Sequence, residues 1–216
     1  MPISINGSGT VTGISVGGLP DGIVDTDMIA TSAVTAPKRG AGAVLQVVQK
    51  ALTSAYAASI GSTEVVPTGF FKTITTTTNS SKVLVLVNMT LGVGASYNGS
   101  QWKIRRNSGT DDTTVSGSAN LFVGDGAGSR DQATMAMQGP TMGGTGVSAT
   151  NALNGFSCGT QFLDTPGNAG AYTYFVAFRD TVSSDNFFYL NRGFNDTDNQ
   201  NQPRSTSSLT LIEVAG

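Results

Sequence analysis

The chain has 216 residues, and only 12% of them are charged, about half the share of an ordinary soluble domain. Its mean hydropathy is nevertheless -0.00, because Ser, Thr, Asn and Gly stand where Lys and Glu usually do. A net charge of -2 leaves no basic field for a nucleic-acid backbone. The absence of histidine excludes a His-dependent triad, an H-E-x-x-H zinc site and a Cys-His cluster.

Cys158 is the single cysteine, so no internal disulfide framework exists. No apolar run approaches the roughly 18 to 20 residues of a bilayer span, so membrane insertion is not expected. The opening MPISINGSG has neither the cationic nor the apolar region of a signal peptide, so secretory export is not expected.

Residues 1–45 contain no aromatic residue and are dense in Gly, Ser and Thr. They read as an extended N-terminal arm, with short strand-like pieces turned at Asn6-Gly7 and one helical turn over DTDMIA. Such an arm buries too little apolar area to offset its ordering entropy alone. Its anchors Ile3, Ile5, Val11, Ile14, Val16, Met28 and Ile29 therefore point to order gained against a partner.

Residues 46–216 read as a β-sandwich knob, expected to be all-β, antiparallel and jelly-roll-like. AVLQVVQ is extended, and KALTSAYAAS, which has a helical alternative, is assigned to β. GFFKTITTTT is β-branched and suits a pleated surface. In KVLVLVNMTLGV, Val83, Val85, Val87, Met89 and Leu91 share one face while Leu84, Leu86, Asn88 and Thr90 share the other. Its beginning is apolar on both sides, as in a central strand covered on both faces. QWKIRRN follows, with Trp102 and Ile104 expected in the core and Lys103, Arg105 and Arg106 solvated. AYTYFVAF, NFFYLNR and SSLTLIEV complete the strands, and Gly/Asn/Asp-rich loops separate them.

Candidate sites are few. GDGAG at 124–128 lacks the spacing and lysine of a phosphate loop and reads as a tight surface loop. NDTDNQN places oxygen ligands at alternating positions, so Asp196 and Asp198 are the candidates for holding Ca²⁺; no other cofactor is expected. In the same stretch Arg192, Phe194 and Arg204 lie among amides, a set able to stack on a sugar face and bond its hydroxyls. The carboxylate pairs sit in polar loops with nothing to drive their pKa values apart, so no enzymatic acid–base pair is expected. Cys158 reads as a small buried apolar residue.

The words SINGSGTVTGISVGGLPDGIVDTDMIA and SAVTAPKRGAGAVLQVV resemble the openings of virion proteins of marine and cyanobacterial bacteriophages. DTDMIATSAVT resembles one copy of a unit repeated in phage tail fibres, and FLDTPGNAGAYTYFVAF, YLNRG and SSLTLIEVAG resemble their C-terminal domain. This resemblance implies a tail-fibre or minor structural protein located in the virion and usually homotrimeric. Its arm would dock on other capsid or tail proteins, and its knob would project, with a host surface glycan as a possible contact. The single unit and near absence of a shaft fit a short fibre, a head-mounted fibre or a tail-tip knob. A purely architectural decoration protein is the alternative. The surface itself, poor in charge, independently predicts association with further copies of the chain.

Overall fold

The computed structural model describes residues 29, 33–35, 38–93, 100–137, 156–180, 186–193, 196–198, 200 and 202–216. Eleven strands are found among them: β1 (Val44–Leu52), β2 (Tyr56–Ile60), β3 (Phe71–Thr76), β4 (Lys82–Val93), β5 (Ser100–Ser108), β6 (Ala119–Leu121), β7 (Met135–Met137), β8 (Phe156–Asp164), β9 (Gly170–Asp180), β10 (Asn186–Leu190) and β11 (Ser207–Val214). All pairings are antiparallel and fall into two sheets.

Three of the strand lines are interrupted. β10 and β11 lie in tandem along one edge of β4, Leu190 opposite Leu91 and Ser208 opposite Asn88. β1 and β2 run in tandem beside them, Leu52 opposite Ser207 and Tyr56 opposite Leu190. β6 and β7 likewise share one edge of β5. The first sheet is then β1/β2, β10/β11, β4, β8, and the second is β3, β9, β5, β6/β7.

The nesting of these lines gives the topology. β5 pairs with β6/β7, β4 with β8, β3 with β9, and β1/β2 with β10/β11. The chain is one long antiparallel hairpin rolled so that successive rungs fall in alternate sheets, which is a jelly roll. The expected all-β antiparallel sandwich is the observed fold.

The alternation explains which residues face inward. From β4 come Val83, Val85, Val87, Met89 and Leu91, all essentially buried; β9 supplies Tyr172, Tyr174, Val176 and Phe178. Trp102, Ile104, Ile74, Phe188, Leu209 and Leu211 fill the space between, and Phe178 stacks on Phe188 at 4.1 Å between centroids. Each such side chain contributes about 1.5–3 kcal/mol on removal from water.

One end of this core is closed by a polar layer. Asp164, Val83 and Glu213 lie in one row across β8, β4 and β11. Asp164 pairs with Arg106 and accepts from the Tyr174 hydroxyl at 2.7 Å. Burial, then the Asp164 charge, pushes the Tyr174 phenol up. Glu213, fully buried, accepts from Gln46 Nε2, the Thr77 amide, Thr77 Oγ1 and Ser81 Oγ. Burial alone would raise its pKa, but these donors together outweigh it and hold the carboxyl below its ordinary value.

Two sequence expectations change here. Trp102 and Ile104 do enter the core, but Lys103 and Arg105 are not solvated: both are buried and pair with Glu64. Arg105 also reaches Ser118 Oγ at 3.0 Å. The partner is a carboxylate in the β2–β3 connection, so the outer face of β5 is covered by this chain's own loops. Arg106, too, is mostly withdrawn from water, between Asp164 and the Tyr172 ring. β6, β7 and β8 were not anticipated as strands.

Candidate functional site

β4 is apolar on both faces, yet among the described residues only its inner face is fully buried. On the outer face of the first sheet the registers align side chains into cross-strand rows. Leu163, Leu84, Ile212 and Val47 form one row across β8, β4, β11 and β1. Above it stand Gln161, Leu86, Thr210 and Gln49; below it, Lys82, Val214 and Val44. Leu163 is 50% exposed, Val47 57% and Val44 56%, while Leu84, Leu86, Ile212 and Val214 are half-buried.

Across these rows Lys82 is the one charged side chain. With about 3.4 Å per residue and 4.8 Å between strands, they cover roughly 20 by 19 Å, or about 390 Å² in plan, of which the apolar side chains take about two thirds, roughly 250 Å². An apolar stripe of that order approaches the largest patch of an ordinary monomer, which is often functional. Within it Gly159 leaves a shallow groove bordered by Leu86, Asn88 and Gln161. A side chain there would meet the Val87 carbonyl at 2.9 Å, so the groove is kept open by backbone crowding.

The candidate recognition loop leaves the same sheet in mid-strand. Asn191 ends β10 with φ 63° and is fully buried. Its amide donates to Thr90 O, and Ser205 N donates to its carbonyl, so the ladder is resealed around the excursion. Asn191 Nδ2 donates to Leu52 O at 2.7 Å and Ser54 O at 2.8 Å, while Ser207 Oγ donates to Asn191 Oδ1 at 2.6 Å. The outgoing chain passes directly over Gly92, where a Cβ would collide with the Arg192 carbonyl.

Of the expected loop residues, Arg192, Asp196 and Arg204 are brought together. Asp196 Oδ2 lies 3.5 Å from Arg192 Nη1, and Asp196 Oδ1 accepts from Arg204 Nη2. Arg192 also lies over the Tyr189 ring, 4.3 Å from its centroid. The Thr197 amide donates to Gln202 Oε1, which stiffens the tip. Both guanidinium groups expected to meet a ligand are thus engaged with the carboxylate expected to meet Ca²⁺. A calcium ion at Asp196 and Asp198 would compete with two cations for Asp196.

Among the described residues no group of three or more His, Cys, Asp and Glu gathers as a metal site. Phe194 lies outside the described residues, as do Ile3, Ile5, Val11, Ile14, Val16 and Met28 of the arm. Ile29 is described and is 45% exposed. Residues 124–128 form a loop without regular structure, as expected. Cys158 is buried, and burial pushes its thiol up to about 12, slightly opposed by the neighbouring Trp102 indole.

Sequence reasoning missed the outer face as a site. The signal was present in Leu84 and Leu86 on the second face of β4, and in Val47, Ile212 and Leu163, which only the register collects. Among known proteins, no family model matches the chain, and no curated protein matches it.

Proposed function

We propose that this chain is a non-enzymatic structural protein of a phage particle, a short fibre or knob that associates with copies of itself through the outer face of its first sheet. The row Leu163–Leu84–Ile212–Val47 carries this reading. It is apolar, lies on a rigid sheet, and has no charge to discourage a second copy. A homotrimer is the number expected from the sequence resemblance, and the arm 1–45 would dock the assembly on capsid or tail proteins. Sedimentation at micromolar concentration should give three times the 22.1 kDa of one chain. Labelled protein should be found on the particle surface by electron microscopy. A stable monomer, or absence from particles, overturns the reading.

Whether the knob also contacts a host surface glycan separates two versions of this role. The mutual neutralisation of Arg192, Arg204 and Asp196 favours the architectural version for the 191–206 loop. The pairs are partly exposed and worth about 0–1 kcal/mol each, so they bias the loop toward this arrangement at a small cost to any ligand that would displace them.

A further inference from the structure

On the flank of the sandwich, away from the outer face of the first sheet, the edge strands β1 and β3 approach each other. A cleft of about 240 Å³ opens there, lined by Lys50, Gly69, Phe71, Lys72, Thr73 and Asp111. Lys50 projects from the inward side of β1, in register with Leu209, and Lys72 from β3. Six ion pairs form among the described residues, yet neither lysine takes part in one. In a chain with 12 cations, two unpaired ammonium groups at one opening are a concentration of positive charge.

The rest of the lining is held by hydrogen bonds. Thr73 Oγ1 donates to Asp111 Oδ1 at 2.9 Å and accepts from the Asp111 amide at 3.0 Å. Thr173 Oγ1 lies 2.8 Å from Thr73 Oγ1 and 2.8 Å from the Gly109 carbonyl, and its one proton serves one of the two. Asp111 has φ 56°, a conformation that costs about 1–3 kcal/mol away from glycine and is retained where surroundings over-determine it. Asp111 keeps carboxylate acceptor capacity beyond the Thr73 bond.

We propose that this cleft binds one unit of an acidic saccharide, a sugar ring carrying a single carboxylate. The two ammonium groups meet the carboxylate. Asp111 accepts from ring hydroxyls, and Phe71 and Gly69 complete the lining. The volume suits a single ring and is below the roughly 300–1,000 Å³ of pockets for larger ligands. Asp111 favours the sugar over phosphate: hydrogen phosphate brings two negative charges and one hydroxyl to the carboxylate, whereas the saccharide brings one charge and several hydroxyls. The cleft is complete in one protomer, so the proposal does not depend on self-assembly.

The test is saturation-transfer NMR on the full chain with glucuronate at millimolar concentration. Glucuronate should give a signal about fivefold or more above that of glucose, the extra coming from the ammonium–carboxylate pairing. Changing Lys50→Gln and Lys72→Gln together should remove that excess while circular dichroism remains that of the wild type. An equal concentration of inorganic phosphate should leave the glucuronate signal in place. The Lys72→Gln single variant, with one ammonium retained, should give an intermediate signal and serves if the double variant does not fold. Equal signals from glucose and glucuronate, full competition by phosphate, or a full signal in the lysine variants would each overturn the proposal.

Discussion

Placing charge on the outer face of the first sheet gives the sharpest test of self-association. Val47 and Leu163 sit at the two ends of the apolar row, on β1 and β8, and are 57% and 50% exposed. Complete burial of such a side chain contributes about 1.5–3 kcal/mol, so the exposed half of each leaves about 1 kcal/mol to gain at an interface. Val47→Glu with Leu163→Glu forfeits about 2 kcal/mol per protomer. It also buries two carboxylates without partners, at about 1–3 kcal/mol or more each. The total of at least ~4 kcal/mol corresponds to roughly a thousandfold weaker association. Exposed substitutions usually change the stability of the fold itself by about 0.5 kcal/mol or less, so the separated chains should remain folded. Sedimentation velocity at micromolar concentration, with far-ultraviolet circular dichroism on the same samples, reads both quantities. If the double variant is folded and sediments as the wild type does, the face is not the interface.

Glu213 gives a pH dependence. Its depressed folded pKa means that its contribution is fully present above the ordinary value of 4.5 and is lost as pH falls through the folded value. Glu213→Gln should lower the urea midpoint at pH 7 by an amount equal to about 2 kcal/mol and flatten the acid limb of the stability curve. Asn191→Ala should cost about 2–4 kcal/mol, because it strips two buried hydrogen bonds and a part-buried one and forces alanine to a positive φ. Asn191→Gly should cost about 1 kcal/mol less, since glycine relieves the strain and not the lost bonds. Cys158, with its thiol pushed up to about 12, should resist an aromatic disulfide reagent at pH 8 and react fully in denaturant.

The alternation of β4 and β9 was legible because every second residue is large and apolar, and a period of two has one structural solution. β8 was not. Its inner residues are Cys158, Thr160, Phe162 and Asp164, and its outer row contains Gly159 and Gln161, so no hydrophobic alternation stands out. The strand is imposed by β4, which needs a partner on that edge.

The burial of Lys103 and Arg105 was illegible for a related reason. Their partner Glu64 lies about forty residues upstream in a connection with no pattern of its own. The loop site was half legible: turn chemistry marked 192–205, but the pairing of Asp196 with two arginines depends on where the excursion leaves and rejoins the ladder. The outer face was legible residue by residue and not as a surface, because register is a property of pairs of strands.

The interrupted strands suggest how this scaffold reconciles rigidity with change. A long loop inserted at a strand end alters only a connection, whereas one inserted in mid-strand removes ladder bonds on both sides. Here the breaks are resealed by side chains. Thr134 returns its amide to Trp102 O, accepts from Ile104 N, and donates to Leu121 O across the gap between β6 and β7. Asn191 and Ser207 perform the same task between β10 and β11, and Asn191 reaches on to the gap between β1 and β2. Each seal returns the strand line to register before the next rung is laid down. Of the described residues between the seals, all but Gly193 are exposed or half-buried. The exposed residues among them can therefore differ without disturbing either sheet, provided Thr134, Asn191 and Ser207 remain. The apolar outer face lies on strands whose register those residues preserve, so variation in the loops need not reach the surface on which copies of the chain would meet.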